Sequence, residues 1–115
     1  MRLRAEIWVR AYLRICENGG ARVAIVRHGD DDAGAVFIKV RRPDALARVF
    51  GPAPAGLDSQ QTERSWSPHL KGAEVAEAEI DAYLAQQADF DPDIWVVEVD
   101  DREGRHFLDD WLIRQ

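Results

Sequence analysis

Asp89, Asp91 and Asp93 stand at alternating positions, the spacing with which a calcium loop begins, because a hard cation needs several oxygens converging from one short segment. The rest of such a loop fails. Ile94 stands where the sixth position needs a glycine, Pro92 interrupts, and the twelfth position is Asp100 in place of a bidentate glutamate. These acids read instead as solvation of a helix-to-strand connection. The run Asp30-Asp31-Asp32 reads as the wet tip of a hairpin, where mutual repulsion is small at physiological salt. Zinc needs closely spaced nitrogen or sulfur donors, and Cys16, His28, His69 and His106 are each isolated, so no metal is expected. Cys16 falls on the apolar side of a helix and reads as an inert core thiol. Ser59, Ser65 and Ser67 lie in no nucleophile elbow. The scattered glycines form neither a Walker loop nor a dinucleotide fingerprint, so no cofactor is expected. What remains for catalysis is Glu98, a carboxylate in an apolar run, with His106 and Asp91 as partners in an acid/His cleft. The plainer reading of Glu98 is a strand emerging into solvent.

The elements that would have to position these groups follow from periodicity. Residues 5–18 place Trp8, Tyr12 and Ile15, with Val9, Leu13 and Cys16, on adjoining helical rows, and Arg10, Arg14 and Glu17 opposite. Asn18-Gly19-Gly20 supplies a left-handed stop. The β-branched runs 22–27 and 35–40 flank a turn-rich segment and predict an antiparallel hairpin. Residues 46–50 predict a third strand of the same meander, ended by Gly51-Pro52-Ala53-Pro54. A fourth strand over 64–70 belongs at an edge, because Pro68 lacks a backbone donor. Ala76, Ile80, Leu84 and Ala88, with Tyr83 alongside, predict a second helix whose early acids suit its dipole. Pro92 ends it. Residues 94–100 then read as an interior strand, apolar on both faces in its first half. Asp101-Arg102-Glu103-Gly104 supplies a type I turn, 105–108 a short returning partner, and 109–113 a closing helical turn.

One domain over 1–115 is expected at this length, which suffices for one hydrophobic core. The longest apolar runs fall far short of the roughly 20 residues that span a bilayer, and the charged start at Arg2, Arg4 and Glu6 is unlike a secretory signal. No membrane association is expected, and a lone cysteine agrees with a cytoplasmic location. The net charge of −6 conceals an asymmetry: residues 1–55 hold ten Lys/Arg against six Asp/Glu, and residues 56–115 hold five against fifteen. The two halves are expected to meet and neutralise each other across the fold. A nucleic-acid face built from Arg2, Arg4, Arg10, Arg14, Arg41 and Arg42 would require that basic charge to stay uncompensated. Trp66, Trp95 and Trp111 would have to be exposed to stack bases; Trp95 reads as core, and Trp111 as packing back on the domain or forming an interface.

The segments 5–14, 29–30, 32–40, 50–53 and 90–108, and most distinctively Asp91-Pro92-Asp93-Ile94-Trp95-Val96-Val97-Glu98 followed by Asp101-Arg102-Glu103-Gly104-Arg105-His106-Phe107, resemble a bacterial family known as domain of unknown function 1491. The resemblance spans nearly the whole chain. It implies a small bacterial protein with no assigned activity, so no catalytic residue carries over. The expected fold is α+β, an antiparallel sheet of four to six strands with two main helices packed on one face. Three functional classes follow in order: a noncatalytic protein-interaction or regulatory module, with a protein partner or homodimer; a small enzyme or ligand binder using Glu98, His106 and Asp91; and a nucleic-acid binder using the basic half.

Overall fold

The computed structural model describes residues 3–54 and 64–113. In chain order the elements are α1 (Ala5–Asn18), β1 (Arg22–Arg27), β2 (Val36–Arg41), β3 (Leu46–Pro52), β4 (Trp66–His69), a 3-10 turn (Leu70–Gly72), β5 (Val75–Ala76), α2 (Glu77–Phe90) and β6 (Trp95–Asp100). The α+β class holds, and all six strands join one sheet.

α1 buries Trp8, Val9, Tyr12 and Cys16 and leaves Arg10, Arg14 and Glu17 in solvent, as its periodicity requires; Ile15, expected inside, is 41% exposed. Arg4 offers no side-chain cap to the helix. The orphan N–H groups of Ala5 and Glu6 donate instead to the carbonyls of Asp32 and Asp31 at 3.1 and 3.0 Å, so the loop between β1 and β2 caps α1. Gly20, at φ 92°, takes the left-handed turn that leads the chain into β1. α2 likewise lacks a side-chain cap, and its Glu77 N–H donates to the carbonyl of Ala45 at 3.0 Å.

Strand order is β1-β6-β2-β3-β4, with β5 pairing separately on β3. The expected hairpin between 22–27 and 35–40 is therefore corrected. β6 inserts between β1 and β2, antiparallel to β1 and parallel to β2, which gives the sheet one parallel pair. Burial explains the insertion. Trp95, Val96 and Val97 are buried in succession and need cover on both faces, whereas β1 is largely exposed and tolerates an edge. β3 pairs with β2 as a true hairpin, and β4 forms the opposite edge with Pro68 in it, both as expected.

Alternation along β2 and β6 sends side chains to two separate cores. Val36, Ile38, Val40, Trp95, Val97 and Val99 face α1, where Trp8 stacks on Trp66 with ring centroids 4.0 Å apart. Phe37, Val49, Ile94 and Val96 meet Ile80 and Leu84 of α2. The helices thus lie on opposite faces, where the sequence placed both on one. Doubly buried central strands need a helix on each side.

The chain end differs too. Residues 105–108 form no strand, because Asp101 Oδ2 accepts the Arg105 N–H at 2.8 Å and folds the segment back on the turn, and Phe107 adopts φ 56°. Residues 109–111 make a turn, after which Leu112 bridges to Trp66 in parallel. Trp111 packs inward, edge-on to Trp8 at 5.3 Å.

Candidate functional site

The sheet face under α2 carries the charge that the sequence asymmetry announced. Lys39 and Arg41 are two apart on β2 and so share a face, and the parallel register sets them opposite Glu98 and Asp100 of β6. Glu77 and Asp81 are four apart on α2, one helical turn, and hang over the same strands. The result is a ladder of two cations and four carboxylates. Lys39 Nζ donates to Glu77 Oε1 at 2.8 Å and Asp81 Oδ1 at 2.7 Å, and lies 3.1 Å from Glu98 Oε1. Arg41 reaches Glu77 and Asp100, each at 3.3 Å. Arg42 adds Glu74 at 3.4 Å. Cations from the basic half thereby meet carboxylates from the acidic half, as the charge asymmetry led us to expect.

The Lys39 side chain is only 5% exposed, so its three protons and three carboxylate partners constitute a saturated set. Burial alone would depress its pKa; the hydrogen bonds it donates to Asp81, Glu77 and Glu98 outweigh burial and raise it. The amine is held as an ammonium, without the lone pair that nucleophilic or Schiff-base chemistry needs. The Lys39 hydrogen bond, with help from Arg41, holds the Glu77 carboxyl below its ordinary range despite some burial.

Beyond the ladder lies a groove. α2 packs over β3 and β2 and also covers Val96 near the start of β6, while β1 beyond it is largely exposed. A cavity of 330 Å³ opens there, lined by Val26, Arg27, Lys39, Asp81, Leu84, Ala85, Ala88, Val96 and Glu98. Its wall is apolar, and its charged lining is balanced, Arg27 and Lys39 against Asp81 and Glu98. Val26, on the edge strand, is 61% exposed, and Phe90, at the end of α2, is 81% exposed. Two larger concavities, of 650 and 490 Å³, flank the end of β6. Charged side chains such as Arg22, Asp100, Asp101 and Arg105 dominate the larger, and the second is wide and shallow, whereas the smaller groove sets an apolar wall beside a few placed charges.

The catalytic candidates do not assemble. Glu98 sits on the α2 face beside Lys39, whereas His106 packs edge-on against Phe50 at 5.1 Å on the α1 face and accepts the Leu108 N–H at 2.9 Å through Nδ1. Asp91 lies in the connection before β6, exposed, and accepts the Asp93 N–H at 3.0 Å. Among the described residues no three His, Cys, Asp or Glu side chains converge as a metal site would require. The acids of 30–32 serve the loop instead: Asp30 accepts the Asp32 and Ala33 N–H groups, Asp31 meets His28, and Asp32 pairs with Arg4 at 2.6 Å.

Cys16 is fully buried, and desolvation pushes its thiol up to about 11 even though a hydrogen bond from Tyr12 opposes this. His69 joins β4 to α2: its Nε2–H donates to the Pro52 carbonyl at 3.2 Å and its Nδ1 accepts from the Tyr83 hydroxyl at 2.6 Å. Of the basic residues named for nucleic acid, Arg4, Arg10, Arg41 and Arg42 are all engaged by carboxylates, and Arg2 lies outside the described residues. Trp66 and Trp95 are buried and offer no stacking platform.

Lys39 was the residue that sequence reasoning passed over. Its signal was a single lysine within Val36-Phe37-Ile38-Lys39-Val40, matched by acids at i, i+4 on the second helix.

A family model described as a protein of unknown function, DUF1491, matches residues 3–109. The crystal structure of a DUF1491 family protein from Caulobacter crescentus is similar at 43% identity and a TM-score of 0.81, covering 99% of this chain and 100% of that one. An NMR structure of a DUF1491 family protein from the same organism gives 41% identity and 0.82, covering 99% of each chain. The solution structure of protein Atu0922 from A. tumefaciens gives 34% identity and 0.81, covering 100% of this chain and 98% of that one. No curated protein matches the chain.

Proposed function

We propose, from the premise that this chain belongs to the DUF1491 family of unknown function, that it is a noncatalytic protein-interaction module of the bacterial cytoplasm, docking its partner in the groove between β1 and α2. The observation that carries this reading is Val26, an aliphatic side chain 61% exposed on an edge strand, facing a wall of Leu84, Ala85 and Ala88. An apolar wall beside an unpaired strand edge is costly to leave open and is the usual mark of an interaction surface. The saturated state of Lys39 and the separation of Glu98, His106 and Asp91 support a role without bond-making chemistry. Among the described residues no helix is long and apolar enough to cross a membrane.

The test compares capture by the tagged full chain with capture by Val26→Glu and by Ile7→Glu, whose side chain is exposed on α1 across the sheet. Partners retained by Ile7→Glu and lost by Val26→Glu support the reading. Equal capture by all three proteins, or no specific capture, refutes it.

A further inference from the structure

The two edges of the sheet are finished differently. At β4 the chain end closes the edge: Trp66 donates its N–H to the Trp111 carbonyl at 2.9 Å and accepts from the Ile113 N–H at 2.7 Å, and Pro68 lacks a donor. Among the described residues nothing pairs with the outer edge of β1, although Ile25 is 40% exposed there. β1 contains no proline, its charges stand at its ends, and its one bulge falls between Ile25 and Arg27. The turn through Gly20 and this bulge bound a regular stretch, residues 21–25, whose middle is Val23.

That stretch is complementary to itself. A two-fold axis normal to a sheet sets one residue opposite its own copy, and opposed residues share a face. Centred on Val23, the axis opposes Val23 to Val23, Ala21 to Ile25 and Arg22 to Ala24. Val23 and Ile25 lie opposite Val99 and Val97 of β6 on the α1 face, and Ala21 packs in the same core, so that side of the seam is apolar. On the α2 face Arg22 and Ala24 lie opposite Asp100 and Glu98. One row across the joined sheets then runs Asp100, Arg22, and Ala24 and Glu98 of the second copy. Arg22 and that Glu98 stand two strand spacings apart, about 10 Å at the backbone, within joint reach of their side chains across the small Ala24. Arg22 and Arg27, an odd number of positions apart, never oppose each other. The 490 Å³ concavity at this edge is lined by residues 21–24, Glu98 and Asp100, with Glu17 beside them.

From this self-complementarity we infer that β1 pairs antiparallel with β1 of a second copy of this chain, centred on Val23, and joins two sheets into one. The pairing uses the strand edge and stops short of Val26, so it stands independently of the docking role proposed for the groove.

Five residues a side make less than a standard interface of about 1,200–2,000 Å², so association is weak and is sought by sedimentation equilibrium of the full chain up to about 1 mM. The weight-average mass is expected to rise toward twice that of the chain. Ala24→Arg sets an arginine opposite Arg22 of the second copy, twice by symmetry, while its own Glu98 alongside keeps the fold; association should weaken roughly tenfold. Register is read by disulfide formation under oxidised glutathione, with Cys16 buried and inert. Val23→Cys is expected to link two copies, and Val26→Cys, at the more exposed position, is not. A chain that stays monomeric to about 1 mM, association unchanged by Ala24→Arg, or linking at position 26 as ready as at position 23 overturns the inference.

Discussion

Lys39→Met removes the ammonium at the centre of the ladder while keeping an alkyl stem of similar length. Lys39 is 5% exposed, so the wild-type charge depends on its partners, and those partners depend on it. Breaking a fully buried ion pair costs about 3–5 kcal/mol, chiefly through the charge left behind. Here the carboxylates are not fully buried: Glu77 is 25% exposed, Glu98 28% and Asp81 57%, so each recovers part of its hydration by turning outward. The expected loss is therefore nearer 2–3 kcal/mol, a large share of the roughly 5–15 kcal/mol typical of a domain, and about 8–12 °C in Tm. Urea unfolding followed by tryptophan fluorescence measures it. Adding Glu98→Gln to Lys39→Met is expected to return about 0.5–1 kcal/mol, because one of the stranded charges is gone. Arg14→Met on the exposed side of α1 should change stability by less than about 0.5 kcal/mol. A Lys39→Met protein within about 0.5 kcal/mol of wild type, or more stable than it, would refute the reasoning, since the ladder would then contribute nothing net.

Acid unfolding should report the same groups. Glu77 and Asp101 have lowered folded pKa values, so the stability they supply is present above the ordinary carboxylate range and is lost as pH falls through the folded values; the urea midpoint should hold from about pH 8 to 5 and fall below about 4.5, and a midpoint rising on acidification would contradict this. Gly51→Ala should cost about 1–3 kcal/mol, because a Cβ there would stand 2.5 Å from the His69 ring and 2.7 Å from the Phe37 ring; the His69 ring proton shifts and a urea curve check it, and an unchanged midpoint would show that the ring has room to move. Cys16, with its thiol pushed up to about 11 and fully buried, should resist alkylation by iodoacetamide at pH 8 until urea unfolds the chain, and rapid labelling of the native protein would contradict its place in the core.

Most elements were legible because each rests on a local pattern. The rows of Trp8, Tyr12 and Cys16 define α1, the Gly51-Pro52-Ala53-Pro54 stop ends β3, and Pro68 keeps β4 at an edge. Pairing was less legible, since it depends on a strand that arrives last. The apolar run at Trp95-Val96-Val97 did mark β6 as interior, but nothing local to residues 22–40 says that another strand will separate β1 from β2. Once β6 and β2 are central and buried on both faces, a helix is needed on each side, and the one-sided arrangement fails for that reason. The site was legible only in pieces. Glu98 stood out as a carboxylate among apolar residues, yet its partner is Lys39, brought opposite by the parallel register, and His106 is on the other side of the sheet. Long-range register, which periodicity does not encode, decides which charges meet.

The central claim is that the groove between β1 and α2 holds a partner protein. A photo-crosslinking amino acid placed at Val26 in the full chain, expressed in bacterial cells of its own kind and compared with the same probe at Ile7, tests it most directly. A discrete covalent adduct from position 26, absent from position 7, is the predicted result. No adduct at position 26, or the same adducts from both positions, would contradict it.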